Sequence, residues 1–158
     1  MNLILLDASK EHKIVIENLM QFYMYDFSEY VKCDVKDNGL FAPYLDLKDY
    51  WEGDNKFPYL IKKNDKYVGF VLIKYINSKK RSYFSMAEFF ILKKYRREGI
   101  GKAIAIKAFN LHKGQWEVYQ KDSNKPAQIF WNKVIEEYTQ GQFKERTEGG
   151  KRIQDFEN

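Results

Sequence analysis

The order of hydrophobic patterns along this 158-residue chain predicts a mixed α/β (α+β) fold: a mostly antiparallel, twisted sheet of six to seven strands flanked by about four helices. Three observations support it. Short strand-like runs interleave with stretches of helical spacing over the whole length. Two pairs of runs are joined by the turn chemistry of hairpins. The segment Phe89-Phe90-Ile91-Leu92 is apolar on both faces, as a central strand is.

Asn2 to Leu6 reads as a first short strand. Ser9 then offers an N-cap, and Ile14, Ile16, Leu19, Met20, Tyr23 and Phe27 recur at helical spacing. Residues 31 to 56 are polar, acidic and irregular, with a helical turn expected near Leu47 to Trp51. Phe57 to Lys62 and Lys66 to Ile76 are strands joined at Lys63-Asn64-Asp65, and after polar Asn77 to Arg81 comes a third long strand, Tyr83 to Leu92. Ile100, Ala103, Ile104, Ala108 and Leu111 form one helical stripe, which Gly114 ends. Gln115 to Gln120 is a strand with Trp116 and Val118 alternating. Ser123 or Asn124 caps a last helix with Pro126 in its first turn, running through Ile135. Gly141 to Thr147 and Arg152 to Phe156, separated by Glu148-Gly149-Gly150-Lys151, close the chain as a hairpin.

A 44% hydrophobic fraction with 12 Tyr and 12 Phe excludes a disordered chain, and the length fits one domain, residues 1–158. The single cysteine, Cys33, allows no internal disulfide, so a reducing, cytoplasmic setting is expected. The longest apolar runs, Val68 to Ile73 and Phe89 to Leu92, fall far short of the roughly 20 residues of a membrane span, and Met1 to Leu6 lacks the basic start of a secretory signal.

The net charge of +5 is unevenly spread: residues 1 to 92 are balanced, residues 93 to 133 carry ten basic groups against three acidic, and residues 134 to 158 are slightly acidic. A concentrated basic patch attracts an anion, and nucleic acid is one candidate. Residues 17 to 54 form the opposite pole, with nine acids against Lys32, Lys36 and Lys48.

The centre of the basic segment is Tyr95-Arg96-Arg97-Glu98-Gly99-Ile100-Gly101-Lys102, between a long strand and a helix. A helix N-terminus has main-chain N–H groups without intrahelical partners and the positive end of the helix dipole, so it binds phosphate through the backbone. Gly99 and Gly101 let that backbone approach an anion, with Arg96, Arg97 and Lys102 adding charge. A P-loop is excluded because Ala103 follows Gly101-Lys102 where Ser or Thr is needed. A dinucleotide fingerprint is disfavoured by Ile104 in place of a third small residue.

The pattern Arg-x-x-Gly-x-Gly, within Glu88-Phe89-Phe90-Ile91-Leu92-Lys93-Lys94-Tyr95-Arg96-Arg97-Glu98-Gly99-Ile100-Gly101-Lys102, resembles the pyrophosphate turn of the GNAT acetyltransferases. Asn124-x-x-Ala127-x-x-Phe130-Trp131 is similar to that family's second signature except at its last residue. The resemblance implies acetyl-CoA as acyl donor and no metal. Main-chain groups of Arg97, Glu98, Gly99, Ile100, Gly101 and Lys102 would hold the pyrophosphate, with Arg96 beside them in the cofactor site. Ile91, with Phe90 and Leu92 beside it, would present a strand edge to the pantetheine arm and the acetyl carbonyl. Asn124 and Phe130 would line the same site, and Lys133 would reach a phosphate.

Glu88 lies on the strand where some members carry a carboxylate that takes a proton from the incoming amine; a solvated strand carboxylate is the alternative. Trp131 replaces a tyrosine that protonates the leaving thiolate in many members, and an indole N–H is no general acid near neutral pH. That leaves Tyr119, Tyr138 or solvent for the role, with Trp131 as core packing. His12, His112 and Cys33 are not placed for catalysis. In the family the first helix and following loop line the acceptor side, here the acidic stretch with Phe22, Tyr23, Tyr25, Phe27 and Tyr30 interleaved. A cationic small-molecule or peptide amine is therefore the expected acceptor, with no nucleic acid or membrane partner and a monomer or homodimer. The rival readings are a non-catalytic coenzyme A-binding module and a basic nucleic-acid-binding domain.

Overall fold

Turn chemistry fixes the register of the sheet. Asn64 and Asp65 have φ of 47° and 65°, and Gly149 and Gly150 have 57° and 74°, so both pairs form two-residue turns with left-handed central residues. They pair Lys63 with Lys66 and Glu148 with Lys151 as the closing positions of two hairpins. The computed structural model describes residues 2–158. Among the described residues there are seven strands: β1 (Leu3–Asp7), β2 (Lys56–Lys63), β3 (Lys66–Asn77), β4 (Ser82–Ile91), β5 (Gln115–Lys121), β6 (Lys144–Glu148) and β7 (Lys151–Glu157). The helices are α1 (Lys13–Val31), α2 (Ile100–Leu111) and α3 (Lys125–Thr139). The strands form one sheet in the order β1-β2-β3-β4-β5-β7-β6, antiparallel throughout except for the β4–β5 pair.

The expected fourth helix is a single 3-10 turn, Leu47–Tyr50, entered from Asp46 at φ 60°. Ser9 caps a short 3-10 turn that leads into α1. Its N–H donates to His12 Nδ1 at 3.1 Å and its hydroxyl lies 3.0 Å from the same nitrogen, which gives His12 a structural role.

The sheet is buried on both sides where β3 and β4 run. Val71 and Ile73 face α2 and α3 with Trp116, Phe109 and Ile135, whereas Phe70, Leu72 and Phe90 face α1 and the Leu47–Tyr50 turn with Ile16, Met20 and Tyr50. His112, at the end of α2, closes the first of these layers. Its Nε2 lies 2.7 Å from the Tyr59 hydroxyl, its ring packs on Phe57 and Phe84, and burial pushes its pKa down.

Two irregularities in β4 open the sheet. Leu72 pairs with Glu88 and Ile73 with Met86, so Ala87 is an unpaired bulge. On the other edge, β4 meets β5 only at Phe84↔Trp116 and Ser85↔Glu117. Beyond those pairs the two strands diverge, and a gap opens along Met86–Ile91 of β4 and Val118–Lys121 of β5.

Candidate active site

The gap leads into a cleft of about 620 Å³ bounded by the end of β4, the first turns of α2 and α3, and the C-terminal half of α1. Leu92 N–H donates to Val68 across the β3 side at 2.8 Å. By strand alternation the main-chain groups of Phe90 also serve β3, while those of Ile91 face the gap. The Ile91 carbonyl does so visibly: it accepts a 2.8 Å bond from Arg96 Nε. Thus the open strand edge is Ile91's. Phe90 contributes a ring to the cleft wall, and Leu92 closes the strand and packs against the α1-side core.

The turn into α2 is wound tightly. Arg97 has φ 64° and Gly99, the N-cap of α2, φ 79°. Holding arginine in the left-handed region costs about 1 kcal/mol, a strain found here on the cleft wall. Ala103 N–H bonds back to Gly99 at 3.1 Å, so it is the first amide inside the helix. The N–H groups of Ile100, Gly101 and Lys102 precede it and have no place in the intrahelical ladder. Gly101 serves a second purpose besides backbone access: an added Cβ would come 3.0 Å from Cε2 of Phe130, so the ring would have to shift by a few tenths of an ångström to admit it.

Several charges around the turn have partners. Arg96 pairs with Asp26 of α1, Lys63 with Glu98, and Lys102 with Glu137 of α3. Among the described residues Arg97 and Lys133, both on the cleft wall, have no acidic partner within 4 Å. Glu98 and Ile100 point elsewhere, the first to Lys63 and the second into the core. Asn124 caps α3, its Oδ1 accepting from Ala127 N–H at 3.2 Å, which leaves its amide NH₂ as a donor at the wall.

Trp131, 6% exposed, packs edge-on against Phe89 and Phe130 with centroids 5.0 and 4.9 Å away, a packing position at the cleft wall. Tyr138 is distant from the cleft. Its hydroxyl donates to Asn110 at 2.8 Å and accepts from Asn158 at 3.0 Å, and its ring packs on Phe109 and Phe156. Burial raises the pKa of Tyr119, on β5, and the charge of Glu88 adds to the shift.

Glu88 points to the α1 side of the sheet. Tyr23 donates to its Oε2 and Tyr44, from the segment after α1, to its Oε1 at 3.1 Å. Burial raises the Glu88 pKa, opposed by these two bonds and by Lys74. Burial and the Glu88 charge push Tyr23 and Tyr44 well above the ordinary phenol value, so both remain protonated donors. Because Tyr23 also lines the cleft, the carboxylate lies one side chain behind the cleft wall. Of the rings on α1, Tyr23, Phe27 and Tyr30 face the cleft on one i, i+4, i+7 stripe, whereas Phe22 and Tyr25 are 57% and 72% exposed on the outer face. Sequence reading missed Tyr44 and Asp26 as partners of Glu88 and Arg96: the pairs lie 44 and 70 positions apart, and no local pattern joins them.

No curated protein sequence matches the chain. The family model described as the acetyltransferase (GNAT) family matches residues 17–135. Among solved structures, an acetyltransferase from Thermus thermophilus superposes with a TM-score of 0.71 at 15% identity, over 100% of this chain and 98% of that one. The PaiA N-acetyltransferase from Thermoplasma acidophilum, in complex with coenzyme A, gives 0.66 at 13% identity over 100% of both chains. An aminoglycoside acetyltransferase from an uncultured soil metagenomic sample, in complex with sisomicin, gives 0.63 at 13% identity over 84% and 86%. With the family model spanning most of its length and the open β4 edge beside the N–H-rich start of α2, the chain belongs to the acetyltransferase (GNAT) family.

Proposed function

We propose that this chain, acting as one domain, transfers the acetyl group of acetyl-CoA to a cationic small-molecule or peptide amine. The observation that carries the donor assignment is the junction of the β4–β5 gap with the first turn of α2: an unpaired strand edge runs up to a cluster of free amides. In this reading the amides of Arg97 to Lys102 hold the pyrophosphate, Arg97 and Lys133 add charge to it, and Asn124 donates its amide to the arm. The relative crystallised with coenzyme A has the same fold.

Acetyl-CoA supplies the acyl group as a thioester. Ile91 N–H, facing the gap, donates to the carbonyl oxygen as negative charge develops on it. Glu88, one side chain behind the wall, takes the proton of the ammonium through water and frees the nitrogen's lone pair. A carbon–nitrogen bond forms, the carbon–sulfur bond breaks, the nitrogen sheds its second proton to solvent, and the thiolate takes a proton from Tyr119, which solvent then reprotonates, or from solvent directly. Trp131 packs the wall and moves no proton.

A cationic acceptor is supported by Glu88 behind the cleft wall and by the rings of Tyr23, Phe27 and Tyr30 on it. A relative of the same fold is described as an aminoglycoside acetyltransferase in complex with sisomicin. Nucleic acid is the poorer partner, since Lys63, Arg96 and Lys102 are already paired with acids. The single Cys33 accords with a reducing cytoplasm. Release of free thiol from acetyl-CoA over a panel of polyamines, aminoglycosides and peptide amines tests the reading. Turnover only with neutral or anionic acceptors, or none, overturns it.

A further inference from the structure

Segment 41–51 is fastened over the α1 face at three points. Gln21 and the main chain of Phe41 exchange two hydrogen bonds, of 2.9 and 3.2 Å. Trp51 Nε1 donates to the Ala8 carbonyl at 2.9 Å. Leu47 and Tyr50 are buried beneath. Between these anchors Tyr44 reaches Glu88 Oε1, while Tyr23 of α1 holds Oε2, so each oxygen of one carboxylate is fixed by a phenol from a different element. Tyr50 lies in the same cluster, and its buried hydroxyl has no hydrogen-bond partner among the described residues.

We propose that Tyr44 is a positioning residue for Glu88: by donating to Oε1 it orients the carboxylate and makes its proton affinity depend on the seating of segment 41–51. This rests on the reading of Glu88 as the base. The groups facing the carboxylate are Tyr23 from α1, Tyr44 and Tyr50 from the segment, Lys74 from β3 and Tyr119 from β5. Of these, Tyr23 and Tyr44 bond the charged form directly, and such a bond holds the proton affinity down. Losing one raises it.

Titration of Glu88 by carbon-13 NMR of its side-chain carboxyl, in wild type, Tyr44→Phe and Tyr50→Phe, tests this without turnover. Tyr44→Phe moves the midpoint upward by about one to two pH units, the worth of one hydrogen bond to a charged group. Tyr50→Phe, which deletes a neighbouring hydroxyl without removing a bond to Glu88, moves it much less. An unmoved Tyr44→Phe midpoint, or equal shifts in both variants, overturns the proposal. Where the Glu88 resonance cannot be followed through the titration, kcat/KM for Tyr44→Phe is compared with and without Glu88→Gln. Loss of the Tyr44 effect in the Glu88→Gln background supports action through the carboxylate, and an undiminished effect overturns it. The base assignment fails separately, if the acid limb of the kcat/KM profile survives in Glu88→Gln while the NMR shift stands.

Discussion

Gly101 packs tightly against Phe130: a Cβ on Gly101 would lie 3.0 and 3.1 Å from two ring carbons, so the ring must yield to admit it. The ring borders the cleft, so the space it yields is the cleft's own. Gly101→Ala is expected to change stability little, because a helical alanine gains about 1 kcal/mol over glycine and offsets the displaced ring. Affinity for acetyl-CoA falls about tenfold as the wall moves inward. Gly99→Ala behaves differently. It meets open space but is held at φ 79°, so it costs about 1 kcal/mol of stability. Thermal unfolding and calorimetric titration with acetyl-CoA separate the two effects, and equal affinity losses would refute the distinction.

Asp26 sets a carboxylate on the cleft wall and occupies the guanidinium of Arg96. An exposed pair of this kind contributes about 0–1 kcal/mol to stability, while its charge opposes a pyrophosphate nearby. Asp26→Asn is therefore expected to tighten binding of coenzyme A by about threefold to tenfold at low salt, an advantage that shrinks as salt is added. Arg96 remains bound to the Ile91 carbonyl, so the end of β4 is undisturbed. Calorimetry at two salt concentrations checks it; an unchanged affinity at low salt would show that the Asp26 charge is not felt at the site.

Two tyrosines that look equivalent along the chain are separated by the structure. Tyr138→Phe removes hydrogen bonds to Asn110 and Asn158 at the far end of α2, and is expected to cost about 1–2 kcal/mol of stability without altering kcat. Tyr119 stands on β5 across the gap from β4, is 37% exposed and has its pKa raised, so it stays protonated at neutral pH. If it supplies the thiolate proton, Tyr119→Phe lowers kcat about tenfold or more with little change in the unfolding temperature. An unaltered kcat assigns that proton to solvent.

What the sequence made legible were features carried by neighbours in the chain. The Asn64-Asp65 and Gly149-Gly150 turns, the stripe on α2, and the Pro126 start of α3 each depend on residues within one turn of each other. The phosphate-binding start of α2 belongs to this class, because a helix N-terminus is a local object. Partners brought together by tertiary packing were hidden: Tyr44 and Glu88, Arg96 and Asp26, Gly101 and Phe130. The Ala87 bulge has no sequence mark either, since it arises where β3 and β4 fall out of register. The rings of α1 show the boundary. Their presence was plain, but which of them face the cleft depends on how the helix docks, and that turns Phe22 and Tyr25 outward.

Glu88 has a cost to the fold that depends on pH. Its pKa is raised above the ordinary value of 4.5, chiefly by burial, so the folded protein holds this proton more tightly than the unfolded chain. Stability from that proton is fully present below about pH 4.5 and is lost as pH rises through the folded value. Glu88→Gln keeps an oxygen that accepts from Tyr23 or Tyr44 and carries no charge to bury. The variant is accordingly expected to match wild type near pH 4 and to be the more stable of the two at pH 7, while losing most acetyl transfer. Denaturant unfolding at both pH values checks the sign. A variant less stable than wild type at pH 7 would mean that the two phenol bonds to the carboxylate outweigh its burial.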